Sequence, residues 1–370
     1  MKILLLADAN AAHSIKWIEE YTRIGLNFMV FSLETPNFEL YSGQINPDLF
    51  VYSKLKDGGV GSEGSFSKLF YFSALSSLKR IVHEFKPDLL HAHYATSYGV
   101  LGALSNYHPF IISVWGSDVM SFPQKSFFHE KMLRYNLNKA DCVTASSSYL
   151  KSITSRYFSR QIEVVPFGID TKRFRPLGLD QENDVTVIGT VKGLEEYYGI
   201  ETIIRAFNVL ITNSTGKSLK LKIAGDGSRR AHLVSLVGEL GLNDKVEFLG
   251  RFPYNKVEEL YNSIDICVFA SSRESFGVAV LEAQACGRGV VVSDIEGFRE
   301  VYKDNVTALS FRVNDEKDLA ARIGQLIEDK LLRDRIRTNA VGFVSENYNL
   351  KKNSESMVEI YKRLIKGKMN

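Results

Sequence analysis

The sequence predicts an α/β protein built as two Rossmann-like domains, each a doubly wound parallel sheet. Three observations carry this reading. Short apolar runs alternate with segments of helical periodicity from end to end. The runs are almost continuously apolar, as strands covered on both faces must be. Finally, 370 residues suit two domains of ordinary size, and six such runs fall on each side of a proline- and glycine-containing stretch.

In the first half, strands are expected at residues 2–7, 27–32, 88–92, 110–114, 141–145 and 162–165. In the second half they are expected at 185–190, 219–224, 246–249, 266–270, 289–293 and 308–311. Apolar residues recur at helical spacing over 14–24, 200–210 and 256–263. Pro166, Gly168 and Pro176, followed by the polar stretch 177–184, mark a hinge. The expected domains are residues 1–170 and 171–349. A last helix over 350–366, in a tail of residues 350–370, is expected to cross back to the first domain. Residues 57–64, with four glycines, read as a mobile loop.

Composition excludes several classes. A formal net charge of +3 does not suggest a nucleic-acid binder. No run of about 18 apolar residues appears, so no transmembrane helix is expected. The apolar start of the chain is too short for a signal peptide and ends at Asp8, so it reads as a first strand. Cys142, Cys267 and Cys286 lack metal spacing and sit in apolar stretches, which suggests buried thiols in a reducing cytoplasm.

In open parallel sheets, ligands bind beyond the carboxyl ends of the strands. The strand at 266–270 is followed by Ser271-Ser-Arg-Glu-Ser-Phe-Gly-Val-Ala-Val-Leu-Glu282. Glu274 falls in the loop. A helix is expected to open near Phe276–Gly277 and run to Cys286, with Gly287 as its cap. Its free N–H groups and positive dipole end form an anion site over Ser275, Phe276, Gly277 and Val278. Glu282 lies about 9 Å further along the axis. An elongated ligand fits this order: sugar hydroxyls on Glu274, a diphosphate at the helix start, ribose hydroxyls on Glu282. The plainer alternative is a solvated loop residue and a charge on a helix face.

With these residues in view, the sequence resembles glycosyltransferase family 4, the retaining GT-B enzymes, over nearly its whole length. The marks are the 274–282 segment and Ala285-Cys-Gly-Arg-Gly-Val-Val-Val-Ser293. To these are added Ile223-Ala-Gly-Asp-Gly227, Val246-Glu-Phe-Leu-Gly-Arg251 and Val165-Pro-Phe-Gly-Ile-Asp-Thr-Lys-Arg-Phe174. The resemblance implies two domains facing across a donor cleft, a UDP- or GDP-hexose as substrate, no cofactor, no metal and retention at the anomeric carbon. It places Arg251 and Phe252 near the base, with Gly225 in the donor site. Relatives carry an Arg and a Lys for the diphosphate where this chain has Thr190 and Tyr198. Lys192 is the remaining candidate, with Arg273 as a second; either can also be an ordinary surface cation.

In the first half, His91-Ala-His93-Tyr94 follows a strand, and alternation puts both histidines on one face. No Cys or acidic cluster joins them, so zinc is not expected. His91 reads as structural; His93, nearer the strand's carboxyl end, reads either as structural or as an acceptor-site group, with Tyr94 beside it. After the next strand, Asp118 either orients an acceptor hydroxyl or caps a turn. Trp115 stands where many relatives have a histidine. In the first loop, small Ala11 and Ala12 admit ligand, and His13 either meets the acceptor or is exposed while Ser14 caps the helix.

Residues 121–160 carry seven basic against two acidic residues, interleaved with Phe122, Phe127, Phe128, Tyr135, Tyr157 and Phe158. This pattern suits an anionic membrane surface, or a solvated face whose aromatics fill the core. The expected function is hexosyl transfer to a glycan acceptor, lipid-linked on a polyprenyl-diphosphate carrier if the membrane face holds, in surface polysaccharide synthesis (lipopolysaccharide, capsule or exopolysaccharide). The expected location is the cytoplasm or the inner face of the cell membrane. The alternatives are a sugar-nucleotide epimerase of similar architecture and a sugar-nucleotide-binding subunit without catalysis.

Overall fold

A computed structural model describes residues 1–53, 68–178, 185–213 and 218–369; the 57–64 loop lies outside them. The chain divides into two units, residues 1–167 with 351–370, and residues 168–350. Each holds one wholly parallel sheet.

Unit 1 runs β1 (Lys2–Leu6), α1 (Ala12–Arg23), β2 (Asn27–Ser32), β3 (Phe50–Tyr52), α2 (Lys68–Phe85), β4 (Leu89–His93), α3 (Ser97–Ser105) and β5 (Phe110–Val114). It continues with α4 (Ser117–Met120), α5 (Phe127–Lys139), β6 (Cys142–Ala145), α6 (Ser148–Thr154) and β7 (Ile162–Val164). The seven strands stand in the order β3-β2-β1-β4-β5-β6-β7. Six match the apolar runs of the sequence. The seventh, β3, is a three-residue strand at the sheet edge, too short to show a period. Its pairing of Val30 with Phe50 exists only in the tertiary fold.

Unit 2 runs β8 (Val185–Val191), α7 (Ile200–Asn213), β9 (Ser218–Ala224), α8 (Arg230–Glu239), β10 (Val246–Gly250), α9 (Val257–Asn262) and β11 (Ile266–Phe269). Then come α10 (Val278–Ala285), β12 (Gly289–Ser293), β13 (Leu309–Phe311), α11 (Glu316–Glu328) and α12 (Lys330–Asn347). The strand order is β10-β9-β8-β11-β12-β13. The last helix, α13 (Leu350–Met369), packs on unit 1, where Met357, Ile360 and Tyr361 join a core with Ile3, Leu5, Ile18 and Tyr21.

Both sheets are therefore doubly wound, and in each the strand order reverses once. The reversal lies between β1 and β4 in unit 1 and between β8 and β11 in unit 2. Connections on the two sides of such a point leave over opposite faces, which opens a crevice at the carboxyl ends. The loops after β1, β4, β8 and β11 are thereby the candidate ligand loops on topology alone. No described helix is long and apolar enough to cross a membrane.

Candidate active site

The crevice of unit 2 holds two oppositely charged side chains. Lys192 leaves the end of β8 and Glu274 the loop after β11. Their Nζ and Oε2 are 2.6 Å apart, with side chains only 16 and 14% exposed. Tyr198 lies under Lys192, whose Nζ is 4.7 Å from the ring centroid. Burial, then the Glu274 charge, pushes the Tyr198 phenol well above its usual range, so it stays neutral. Arg273 is exposed and lies over Tyr197, 5.1 Å from its centroid. Ser275 N–H donates to Glu274 Oε1.

Two glycines hold this corner. Gly225 has φ +145°, and a Cβ there would fall 1.8 Å from the carbonyl oxygen of Lys192. Its N–H donates to Gly250 O, which ties the loop after β9 to the end of β10, where exposed Arg251 and half-buried Phe252 follow. Gly225 thus acts by letting backbone lie against Lys192. Gly277 has φ +100° at the N-cap of α10, and a Cβ would meet the Phe298 ring at 2.7 Å. Val278 begins the helix, half-buried. The Phe276 ring is buried and packs edge-on against Tyr348, which leaves its backbone N–H for the expected anion site. Only its backbone can serve, since the turn sends the side chain into the core.

Glu282 is buried on α10, with Oε1 accepting from Tyr254 Oη at 3.4 Å and Oε2 from Tyr261 Oη at 3.2 Å. Tyr254 is itself clamped by Arg173, whose guanidinium lies 4.5 Å from its ring and pairs with Glu258 at 2.7 Å. The two tyrosines were not visible as site residues in the sequence. Tyr254 lies in the short turn before α9 and Tyr261 in α9 itself, and an aromatic there reads simply as core.

Unit 1 has a cavity of about 580 Å³ at its own crevice, lined among others by Asp8, His13, His93, Tyr94, Trp115 and Asp118. His93 ends β4 and is buried, with Nδ1 lacking a hydrogen-bond partner among the described residues. Burial, then His91 and His13, holds its pKa well below the imidazole range, so the ring is neutral. Trp115 packs on it at 4.4 Å, and His13 stacks on Phe167 at 4.2 Å. Tyr94 has φ +86°, a strained backbone for a bulky residue, and its hydroxyl bonds Ser117 Oγ. His91 is structural: Nδ1 bonds Tyr361 Oη at 2.6 Å and Nε2 bonds Ser113 Oγ at 2.7 Å.

Asp118 takes backbone N–H groups, as a turn-capping carboxylate does, and two other expectations for unit 1 change. Asp118 is fully buried, and its carboxylate accepts from the backbone N–H of Ala95, Gly116 and Trp115 at 2.9, 2.8 and 3.2 Å. Those bonds tie the loops after β4 and β5 together, so Asp118 shapes the cavity that it also lines. Helix α1 starts at Ala12 with Ala11 as N-cap, so Ser14 sits buried inside the first turn and is no cap. Ala11, rather than exposed Ala12, lines the cavity. Glu34, Tyr98 and Met132 also line it and were missed, because they come from three separate elements.

Among the described residues, no three His, Cys, Asp or Glu side chains group as metal ligands would. All three cysteines are free and buried.

Residues 174–342 match the family described as Glycosyl transferases group 1, and residues 2–147 match Glycosyl transferase 4-like. A D-inositol 3-phosphate glycosyltransferase of Nocardia farcinica is 30% identical over 218 residues, 54% of this chain. That match spans 47% of the relative's own length, less than two thirds. Among solved structures, sucrose-phosphate synthase of Thermosynechococcus elongatus superposes with TM-score 0.84 and 20% identity, covering 99% of this chain and 100% of that one. The Anabaena HepE protein in complex with UDP and glucose gives TM-score 0.80 and 19% identity, covering 98 and 100%.

Proposed function

The chain belongs to the glycosyl transferases of group 1, and on that premise we propose that it moves a hexose from a UDP- or GDP-sugar to a glycan acceptor, with retention and without a metal. The observation that carries the donor assignment is the Lys192–Glu274 pair at the strand-order reversal of unit 2, beside the start of α10. Before donor arrives, each charge has the other as partner. A diphosphate at the helix N-terminus gives Lys192 a new anion to hold, and that releases the Glu274 carboxylate toward sugar hydroxyls. Glu282 takes the ribose, with Tyr254 and Tyr261 fixing its orientation. The likeness to a structure holding UDP and glucose supports this donor class.

The acceptor occupies the cavity of unit 1. Neutral His93 offers it a hydrogen bond without a charge, and Trp115 and Tyr94 supply aromatic faces for sugar rings. The reaction then breaks the anomeric C–O bond to the diphosphate and forms one to the acceptor oxygen on the same face. The leaving phosphate oxygen takes the acceptor proton, and Lys192 stabilises the charge that develops there. We place the acceptor sugar on a polyprenyl-diphosphate carrier for surface polysaccharide synthesis, a reading supported by the cationic, aromatic stretch 121–160.

The test is calorimetric binding of UDP- and GDP-sugars followed by transfer assays with the tightest donor. Glu274→Ala should lower transfer about 100-fold. Wild-type turnover in that variant would overturn the site. Donor binding without transfer to any acceptor would favour a binding subunit.

A further inference from the structure

Helix α5 presents an exposed surface unlike that of a solvated helix. Phe127 and Phe128 are 65 and 80% exposed, and Lys131, Met132 and Tyr135 are exposed with them. At 3.6 residues per turn these five positions fall within an arc of about 140°. The opposite side buries Leu133, Asn136 and Leu137. The helix has one acidic residue, Glu130; it lies outside the arc and is paired with Arg134 at 2.8 Å. The exposed arc is therefore aromatic, apolar and cationic. Lys131 Nζ lies 4.5 Å from the Phe127 ring centroid, and Lys125, on the turn before the helix, lies 5.9 Å from that of Phe122.

The rest of the 121–160 stretch divides differently. Phe158 is buried and Tyr157 packs partly against the core, so their aromatic character belongs to the fold. The large rings left in water are those of α5: Phe127 and Phe128 at its start and Tyr135 two turns on. Two phenylalanines there gain nothing from solvent. Together with lysines they have the composition that settles at a lipid headgroup boundary, rings in the acyl edge and ammonium groups on phosphates.

The same stretch walls the unit 1 cavity. Phe122, His129 and Met132 line it, and Met132 belongs to both the cavity wall and the exposed arc. We infer that the face formed by Lys125, Phe127, Phe128, Lys131 and Tyr135 docks on an anionic phospholipid bilayer, and that a lipid-borne acceptor reaches the cavity along the Phe122–Met132 wall. This inference rests on the assignment of that cavity to the acceptor. Charge complementarity selects an anionic over a neutral bilayer, and the two exposed rings select insertion over simple adsorption.

The experiment is co-sedimentation of the full chain with phosphatidylcholine vesicles, with and without phosphatidylglycerol, at low and high salt. Phe127→Ser/Phe128→Ser and Lys125→Glu/Lys131→Glu are compared with wild type. Transfer to a water-soluble acceptor glycoside and thermal melting serve as controls for folding. Wild type should bind only the phosphatidylglycerol vesicles, and less at high salt. Each double variant should bind about tenfold more weakly or worse, with unchanged melting and unchanged soluble-acceptor transfer. Equal binding by Phe127→Ser/Phe128→Ser and wild type would overturn the inference, as would no wild-type binding. So would a wild-type dimer in light scattering that this variant makes monomeric while no vesicle binding is seen. Failure of transfer with every donor, alongside the expected vesicle behaviour, would instead remove the transferase reading and leave the lipid surface standing.

Discussion

Both partners of the Lys192–Glu274 pair are only slightly exposed, and neither has a second ion pair among the described residues, so the proposed function has this contact open when donor binds. Glu274→Gln removes the competitor for Lys192. UDP alone should then bind at least as tightly as to wild type, while transfer falls. Lys192→Ala should weaken UDP by about 10- to 100-fold, the worth of one charge-assisted hydrogen bond, in isothermal titration. A second prediction concerns acid. Burial lowers His91 to about 3 and holds His93 well below its ordinary value, so the unfolded chain binds more protons than the folded one below pH 6.5. Stability should be lost as pH falls from 6.5 toward 3, with His91 contributing about 1.4 kcal/mol per pH unit through most of that window. Urea midpoints across pH 4–7 check this, and His91→Asn should flatten the slope. At this scale the sequence was legible wherever a residue type announced its chemistry, as Glu274, Glu282 and Lys192 did singly. Their pairings were not legible. The tie of Asp118 to three backbone N–H groups, and the tyrosines around Glu282, depend on loops meeting from distant parts of the chain.

Among elements, α10 and α13 do the most for the sites. Gly277→Ala puts a Cβ against the Phe298 ring at a positive φ, so the start of α10 must shift. A destabilisation of about 1–3 kcal/mol is expected. The Michaelis constant for the donor should rise, since the helix N–H groups move with it. Helix α13 is tied to β4, β5 and β6 through a buried polar chain: Tyr21 Oη to Tyr361 Oη at 2.7 Å, then His91, Ser113 and Thr144. The His91 ring lies edge-on to His93 at 4.8 Å. Tyr361→Phe would leave His91 Nδ1 buried without a partner, at a cost of about 1–3 kcal/mol in a denaturant titration. Twelve strands could be read from apolar runs because parallel strands bury both faces. Strand β3 and the true start of α1 could not. A three-residue edge strand has no period, and Ala11 gives no side-chain capping signal.

For the whole molecule, two units follow from the length of the chain and the proline- and glycine-containing stretch at 166–176. Which strands neighbour which does not follow from periodicity, yet that order selects the four candidate loops. The return of α13 has a consequence in time. During synthesis, residues 1–167 emerge first, but Met357, Ile360 and Tyr361, which complete their core, are made only after residues 168–350. At roughly 5–20 residues per second that delay is about 10–40 s. Throughout it, the newborn first unit carries an apolar strip around Tyr21 and Ile18 that only α13 covers, so its core stays incomplete until the end of the chain has been made.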